Sequence, residues 1–559
     1  MNEPQGYWSN IFRKRQSRRQ VLKAAAKASM GLAGVSLLGC AAAPGATPTA
    51  KPVGVAPTPT KAPAATPTAG PVTGGTLKMG QSYMTALDVH APIGGSSENW
   101  QLMQIYDKLL ELDEKGKLIP FLVESWELPD KTTVVLKIRK GVKFHDGADL
   151  NAQAIMFSLD RKMNGAKPVL QNARLKAAVA SMNAVDDYTV KIALKEPHAG
   201  FLLGFMNDPD TRPVSPEAVK KYNNNLQQIG AGTGPYRGVE WVMDDRIVLK
   251  KFEGYWRKGI PYLDGISTKI IPDPTAAMVM LNTGELQFYP ELSPKDVATV
   301  RANKDLVAAI GSSTGYSGFF FNQKKPPFSI RALREAFAYC IDKGAIAKAV
   351  FFGIDAPTNG IFAPGHPFND PSVKALPQDF TKAKQKLAEG GYPDGYEFDA
   401  EVSGQYPIRS DFAQAAMEML KKVGIKMNLK TLEHGTLSDR SKRGDVQCWV
   451  TEFSGGIEPN DAMDNFWHST KGTYGVSFLK GAPDGERMDA LLEKGKATYD
   501  TEERYRIFSQ AQKMINDEVY GGLWITYRSV RHVHRKELKN YRVTTQPNEV
   551  YLSDVWLAK

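Results

Sequence analysis

Thr133-Val-Val-Leu-Lys-Ile-Arg-Lys-Gly-Val-Lys-Phe-His-Asp-Gly147, continuing as Ala148-Asp-Leu-Asn-Ala-Gln-Ala-Ile-Met-Phe-Ser-Leu-Asp-Arg161, sets the fold class of this chain. Thr133–Arg139 is β-branched and alternates at its end, as a half-buried strand does. Gly141 breaks it. The apolar period then changes to that of a helix running to Arg161, with Asp149 or Asn151 available as its cap. A strand, a turn and a helix in under thirty residues predict an α/β protein.

The same alternation extends in both directions. Gly75–Met79, Tyr188–Leu194, Val239–Trp241, Arg246–Lys250, Ile425–Leu429 and Asp445–Val450 read as strands. Trp100–Leu110, Ser329–Val350, Thr381–Glu389, Asp411–Val423 and Thr501–Ile515 read as helices, with Asp500 as a cap for the last. No repeat of fixed period occurs, so two α/β lobes are expected rather than a solenoid.

The amino-terminal end has a different character. Arg13-Lys-Arg-Gln-Ser-Arg-Arg-Gln-Val-Leu-Lys23 precedes a mild apolar run, Ala24–Gly39, that contains Lys27 and ends at Leu37-Leu-Gly-Cys40. That run is too short and too weakly apolar to cross a ~30 Å hydrocarbon core. It has the form of an export signal. Ser17-Arg-Arg-x-x-Leu-Lys23 resembles a twin-arginine signal, and Leu-Leu-Gly-Cys resembles a lipoprotein box with Cys40 as the lipidated residue. Residues 41–73 are almost entirely Ala, Pro, Thr, Gly, Val and Lys. Such a segment cannot bury enough surface to order itself. At ~3.1 Å per residue it reaches roughly 100 Å when extended.

The net charge of +11 falls to +5 once residues 1–39 are removed, leaving 64 bases against 59 acids. Bases and acids are interleaved, with no arginine stripe and no nucleic-acid motif, so a polyanion partner is not expected. Of the three cysteines, Cys340 and Cys448 lie in apolar surroundings and read as buried free thiols. No metal-ligand spacing and no Gly-x-Ser-x-Gly occurs, which argues against a hydrolase. His145-Asp146 looks like a catalytic pair but reads as a turn closed by Gly147.

Gly116-Lys-Leu-Ile-Pro-Phe-Leu-Val-Glu-Ser-Trp-Glu127 followed by Leu136–Gly147 and Phe157-Ser-Leu-Asp-Arg161 resembles the signature of family 5 extracellular solute-binding proteins, the peptide- and nickel-type receptors of ABC importers. Gly232-Thr-Gly-Pro-Tyr236, Phe252-Glu-Gly-Tyr-Trp-Arg257, Pro261-Tyr-Leu-Asp-Gly265, Arg331–Tyr339 and Gly390-Gly-Tyr-Pro-Asp-Gly395 continue it in order. The resemblance implies a two-lobed periplasmic-binding-protein fold of the type II, large peptide-binding class, with an extra subdomain in lobe I. It divides the chain into a signal (1–39), a lipidated Cys40 with its linker (40–73), lobe I (74–311), lobe II (312–527) and a return to lobe I (528–559). Two strands are expected to cross between lobes near Gly311–Phe319 and Thr526–Arg531.

The resemblance also implies the ligand contacts. In peptide-binding relatives an acid three residues after a tryptophan takes the ligand's ammonium, which points to Glu452 in Trp449-Val-Thr-Glu452. The family's carboxylate-binding arginine matches the loop holding Tyr406 and Arg409. Trp449 and Tyr316 are expected as aromatic walls, with Trp467 and Tyr83 behind them. The implied activity is non-enzymatic and uses no cofactor. The implied role is capture of short peptides between the lobes for delivery to a permease. A lipid-anchored monomer on the extracytoplasmic face is expected. An oligosaccharide, opine-like compound or chelated metal is the alternative ligand, and a signalling receptor the alternative role.

Overall fold

The computed structural model of the 559-residue chain describes residues 70–559, except 92–95, 114–115, 170–171, 228–229, 454 and 547–548. The expected signal, Cys40 and the linker as far as residue 69 lie outside the described residues.

Strand β1 (Thr76–Gln81) opens lobe I, and β2 (Leu110–Leu112) with β3 (Leu118–Pro120) form a short hairpin. Strands β4 (Val123–Asp130), β5 (Thr133–Ile138), β6 (Val179–Asp186) and β7 (Thr189–Leu194) make a separate antiparallel sheet in the order β4-β5-β7-β6. Helix Ala152–Asn164 covers it, capped by Asn151, whose Oδ1 accepts from the Ala154 amide at 3.0 Å. Val134, Leu136, Ile138, Ile155 and Leu159 share a core there, so the opening stretch of sequence builds the extra subdomain.

Strands β8 (Tyr236–Val242), β9 (Arg246–Lys251), β10 (Gly265–Ile270) and β11 (Phe288–Tyr289) return the chain to lobe I. Then β12 (Leu306–Phe321), β13 (Glu397–Ser403), β14 (Lys426–Leu432), β15 (Cys448–Phe453) and β16 (Gly522–Arg535) follow, and β17 (Leu538–Lys539) pairs with β18 (Trp556–Leu557). Ten of these form one sheet in the order β14-β13-β15-β12-β16-β11-β1-β10-β9-β8. The long antiparallel pair β12 and β16 lies at its middle and belongs to both halves.

The lobe II part of this sheet is covered on both faces. Phe319, Phe321, Phe337, Phe398 and Phe412 pack on one side. Tyr316, Phe320, Trp449, Trp467 and Trp524 pack on the other. Strand β15, Cys448-Trp-Val-Thr-Glu-Phe453, is accordingly mostly apolar, whereas β13, Glu397-Phe-Asp-Ala-Glu-Val-Ser403, alternates acidic and apolar residues.

The expected single helix over Ser329–Val350 is two helices, Arg331–Cys340 and Lys343–Val350. Ile341 is extended, and Asp342 Oδ1 caps the second helix at the Ala345 amide, 2.8 Å away. The apolar period runs unbroken across that joint, so periodicity alone hides it.

The subdomain meets lobe II directly. Arg174 Nη1 donates to the Asp461 carbonyl at 2.7 Å, Ala199 N to the Lys496 carbonyl at 2.8 Å, and Tyr499 Oη to the Lys131 carbonyl at 2.8 Å. The seat is shaped by glycines. A Cβ on Gly204 would lie 1.4 Å from Asp461 Oδ2, and one on Gly200 2.1 Å from Glu458 Cδ.

Gly204→Val is therefore expected to keep the subdomain off lobe II. Small-angle scattering should give a larger radius of gyration than wild type; equal radii would show that Asp461 moves aside freely. Cys340 and Cys448 are free and wholly buried, and burial pushes the Cys340 thiol up to about 12. Peptide mapping after labelling with a charged thiol reagent should find both unmodified in the folded protein and modified in denaturant.

Candidate ligand-binding site

Strands β13, β14 and β15 run parallel, with Ala400 beside Leu429 and Val402 beside Val450. Their carboxyl ends therefore emerge together. β13 leads into helix Pro407–Leu420 and β14 into helix His434–Arg443. Ligands of open α/β sheets bind at such ends.

The crossing pair passes beside them. β12 and β16 keep register from Leu306–Arg535 to Ser312–Ser529, lose it, and regain it at Tyr316–Tyr527. Ser313, Thr314 and Gly315 on one strand thus face Arg528 alone on the other, a bulge that bends the pair. The Ser313 hydroxyl donates to the Arg528 carbonyl at 2.7 Å and accepts from the Gly315 amide at 3.1 Å, satisfying backbone groups that the ladder leaves.

A charged cluster fills the corner between this bulge and the strand ends. Glu452 Oε2 accepts from Arg409 Nε at 3.3 Å, and Oε1 accepts from the Ser317 hydroxyl at 3.2 Å. Arg528 Nε lies 3.4 Å from the same Oε1. Tyr406 packs its ring against the Arg409 guanidinium at 4.1 Å, and His434 meets Tyr406 edge-on at 5.5 Å. Burial works to raise the Glu452 carboxyl, but Arg528, Arg409 and Arg531 outweigh it and hold it at about 2. The group is ionised from mild acid upward.

The structure brings Glu452, Arg409 and Tyr406 together and leaves Trp449 and Tyr316 apart from them. Glu452 pairs with Ser317 across β12 and β15, whereas Tyr316 pairs with Phe453 and Trp449 with Phe320. Paired residues share a face, and successive ones alternate. Trp449 and Tyr316 therefore point to the opposite face, into the aromatic core with Trp467, and are 7% and 3% exposed. Tyr83 follows β1 in lobe I, where its carbonyl accepts from Gln81 Nε2 at 2.7 Å.

Arg528, Ser317 and His434 escaped the sequence reading. A charge at the end of the apolar run Gly522-Leu-Trp-Ile-Thr-Tyr527 was the one available signal for Arg528. His145 holds a turn: its Nε2 lies 2.9 Å from the Gly234 carbonyl, while Asp146 Oδ2 accepts from the Ser215 hydroxyl at 2.5 Å. Among the described residues, no group of three or more His, Cys, Asp or Glu is placed to hold a metal, and no helix is long and apolar enough to cross a membrane.

Comparison with known proteins agrees with this architecture. The glutathione-binding protein GsiB of Salmonella choleraesuis (strain SC-B67) is 30% identical over 416 residues, 73% of this chain and 81% of its own. The fold superposes on the periplasmic binding protein DppA of Helicobacter pylori, in complex with the peptide STSA, with a TM-score of 0.76 at 23% identity, covering 87% of this chain and 99% of that one. It superposes on NikA of Brucella suis, in complex with Fe(III)-EDTA, with a TM-score of 0.78 at 20% identity, covering 86% and 100%. Residues 117–474 match the model of the middle region of bacterial extracellular solute-binding proteins, family 5, so with its two lobes, its extra subdomain and its crossing strands this chain belongs to that family.

Proposed function

We propose that this protein is the substrate receptor of an ABC importer and captures short peptides between its lobes. The observation that carries the reading is the charged cluster of Glu452, Arg409 and Arg528, set where the carboxyl ends of three parallel strands meet the break in the crossing pair. A ligand there touches lobe II and the hinge at once, so its binding energy acts on closure. The glutathione-binding relative at 30% identity supports a peptide of about this size. Glu452, Arg409 and Tyr406 are proposed to form the ligand site. Trp449 and Tyr316 form the packed layer beneath them.

The lobes divide, on this reading, at 74–311, 312–527 and 528–559. Residues 1–39 direct export, Cys40 carries the lipid, and 40–73 tether a monomeric receptor to the extracytoplasmic face. No enzymatic step and no cofactor enters the cycle.

Native mass spectrometry of the protein as purified is expected to find a heterogeneous set of small masses that sequence as peptides. After partial unfolding and dialysis, glutathione should restabilise it thermally, by about 2.7 kcal/mol at a hundredfold excess over Kd. One non-peptide mass, with no stabilisation by any peptide mixture, would retire the peptide ligand. Metabolic labelling with a palmitate analogue should mark the wild-type chain and leave Cys40→Ser unmarked; equal labelling would place the anchor elsewhere.

A further inference from the structure

The sequence assigns Glu452 to the ligand's ammonium, but its surroundings favour the opposite charge. One carboxylate stands between two guanidiniums, with Arg409 Nε at 3.3 Å and Arg528 Nε at 3.4 Å. Both of its oxygens are already engaged, by Arg409 and by the Ser317 hydroxyl. A third guanidinium, Arg531, acts on it electrostatically but is matched by Asp355 at 2.5 Å. An ammonium arriving here would meet two cations before reaching an acid that is already satisfied.

Arg528 is the group with capacity left. Its Nε is buried beside Glu452, yet the angle between them makes no hydrogen bond, and that nitrogen has no other hydrogen-bond partner among the described residues. Its side chain is still 21% exposed, at the strand break itself. Arg409 is in the first turn of the 14-residue helix Pro407–Leu420, whose amino-terminal dipole adds positive potential at the same corner. Buried guanidinium donors left unpaired are costly, and a carboxylate satisfies them bidentately.

On the reading that the ligand lies at this crossing, we propose that the cluster is an anion subsite. Arg528, with Arg409 behind it, receives a carboxylate of the ligand, and Glu452 is a positioning residue that holds the two guanidiniums apart and ordered. The favoured ligands are peptides or small organic acids that present a carboxylate to the hinge. A free amine is dispensable at this point.

The test uses the emptied full-length protein and two blocked peptides. N-acetyl-trialanine carries only the carboxylate; trialanine amide carries only the ammonium. Calorimetry is expected to give N-acetyl-trialanine an affinity within about threefold of trialanine and to weaken the amide at least about tenfold. Arg528→Gln should abolish that preference and Arg528→Lys should keep part of it. The partial rescue by lysine separates lost charge from a damaged fold. If the amide binds and the acetylated peptide does not, the anion subsite is overturned while peptide capture stands. If no peptide binds but citrate stabilises wild type and not Arg528→Gln, the subsite stands and the peptide ligand falls. If no carboxylate gives stabilisation that depends on Arg528, the subsite is overturned.

Discussion

The pairing of β12 with β16 is the constraint on which the rest of the molecule depends. These two strands run through the middle of a ten-stranded sheet, so each half of the sheet grows outward from one of their ends. At the lobe I end Leu306 packs with Leu281 and Val533; at the lobe II end Phe319 and Phe321 enter the phenylalanine core. An unbroken ladder would make one stiff plate. Ser313, Thr314 and Gly315 interrupt it with residues that cannot all pair against Arg528. The Ser313 hydroxyl takes over the bonding that the ladder drops. A bend with satisfied backbone groups is what lets two rigid lobes share one sheet.

The charged corner follows from that break. Where the strands part, Gly455 passes so close that a Cβ would lie 1.9 Å from the Thr314 carbonyl, and its φ of +71° suits glycine. This close approach brings the end of β15 against the bulge. Glu452 then lies in reach of Arg528 from one strand and Arg409 from a helix. Buried charges persist only when paired, and here each makes the others tolerable. The depressed Glu452 carboxyl is the electrostatic trace of that arrangement. The subdomain meets lobe II separately, through its glycine-lined seat for Asp461 and the Arg174 hydrogen bond to the Asp461 carbonyl.

Much of this was legible in the chain. The strand, turn and helix of Thr133–Arg161 appear where alternation and capping put them, because those signals act within a few residues. The Ser329–Val350 helix was misread because an extended Ile341 interrupts the path of the chain without interrupting its apolar period. The three-residue spacing of Trp449 and Glu452 held a further signal. In a strand an odd spacing puts two side chains on opposite faces, so the tryptophan belongs to the core and the acid to the other side.

Taken alone, the sequence determined the α/β class, the ordered family signature and the residues available near the hinge, because local periodicity and short motifs encode these. Tertiary structure alone decided the sign of the site. Glu452 and Arg409 are 43 residues apart and Arg528 farther still, and which charges face one another depends on three strand ends meeting one bulge. A carboxylate's chemistry is set by what surrounds it, and those neighbours arrive only when the chain has folded.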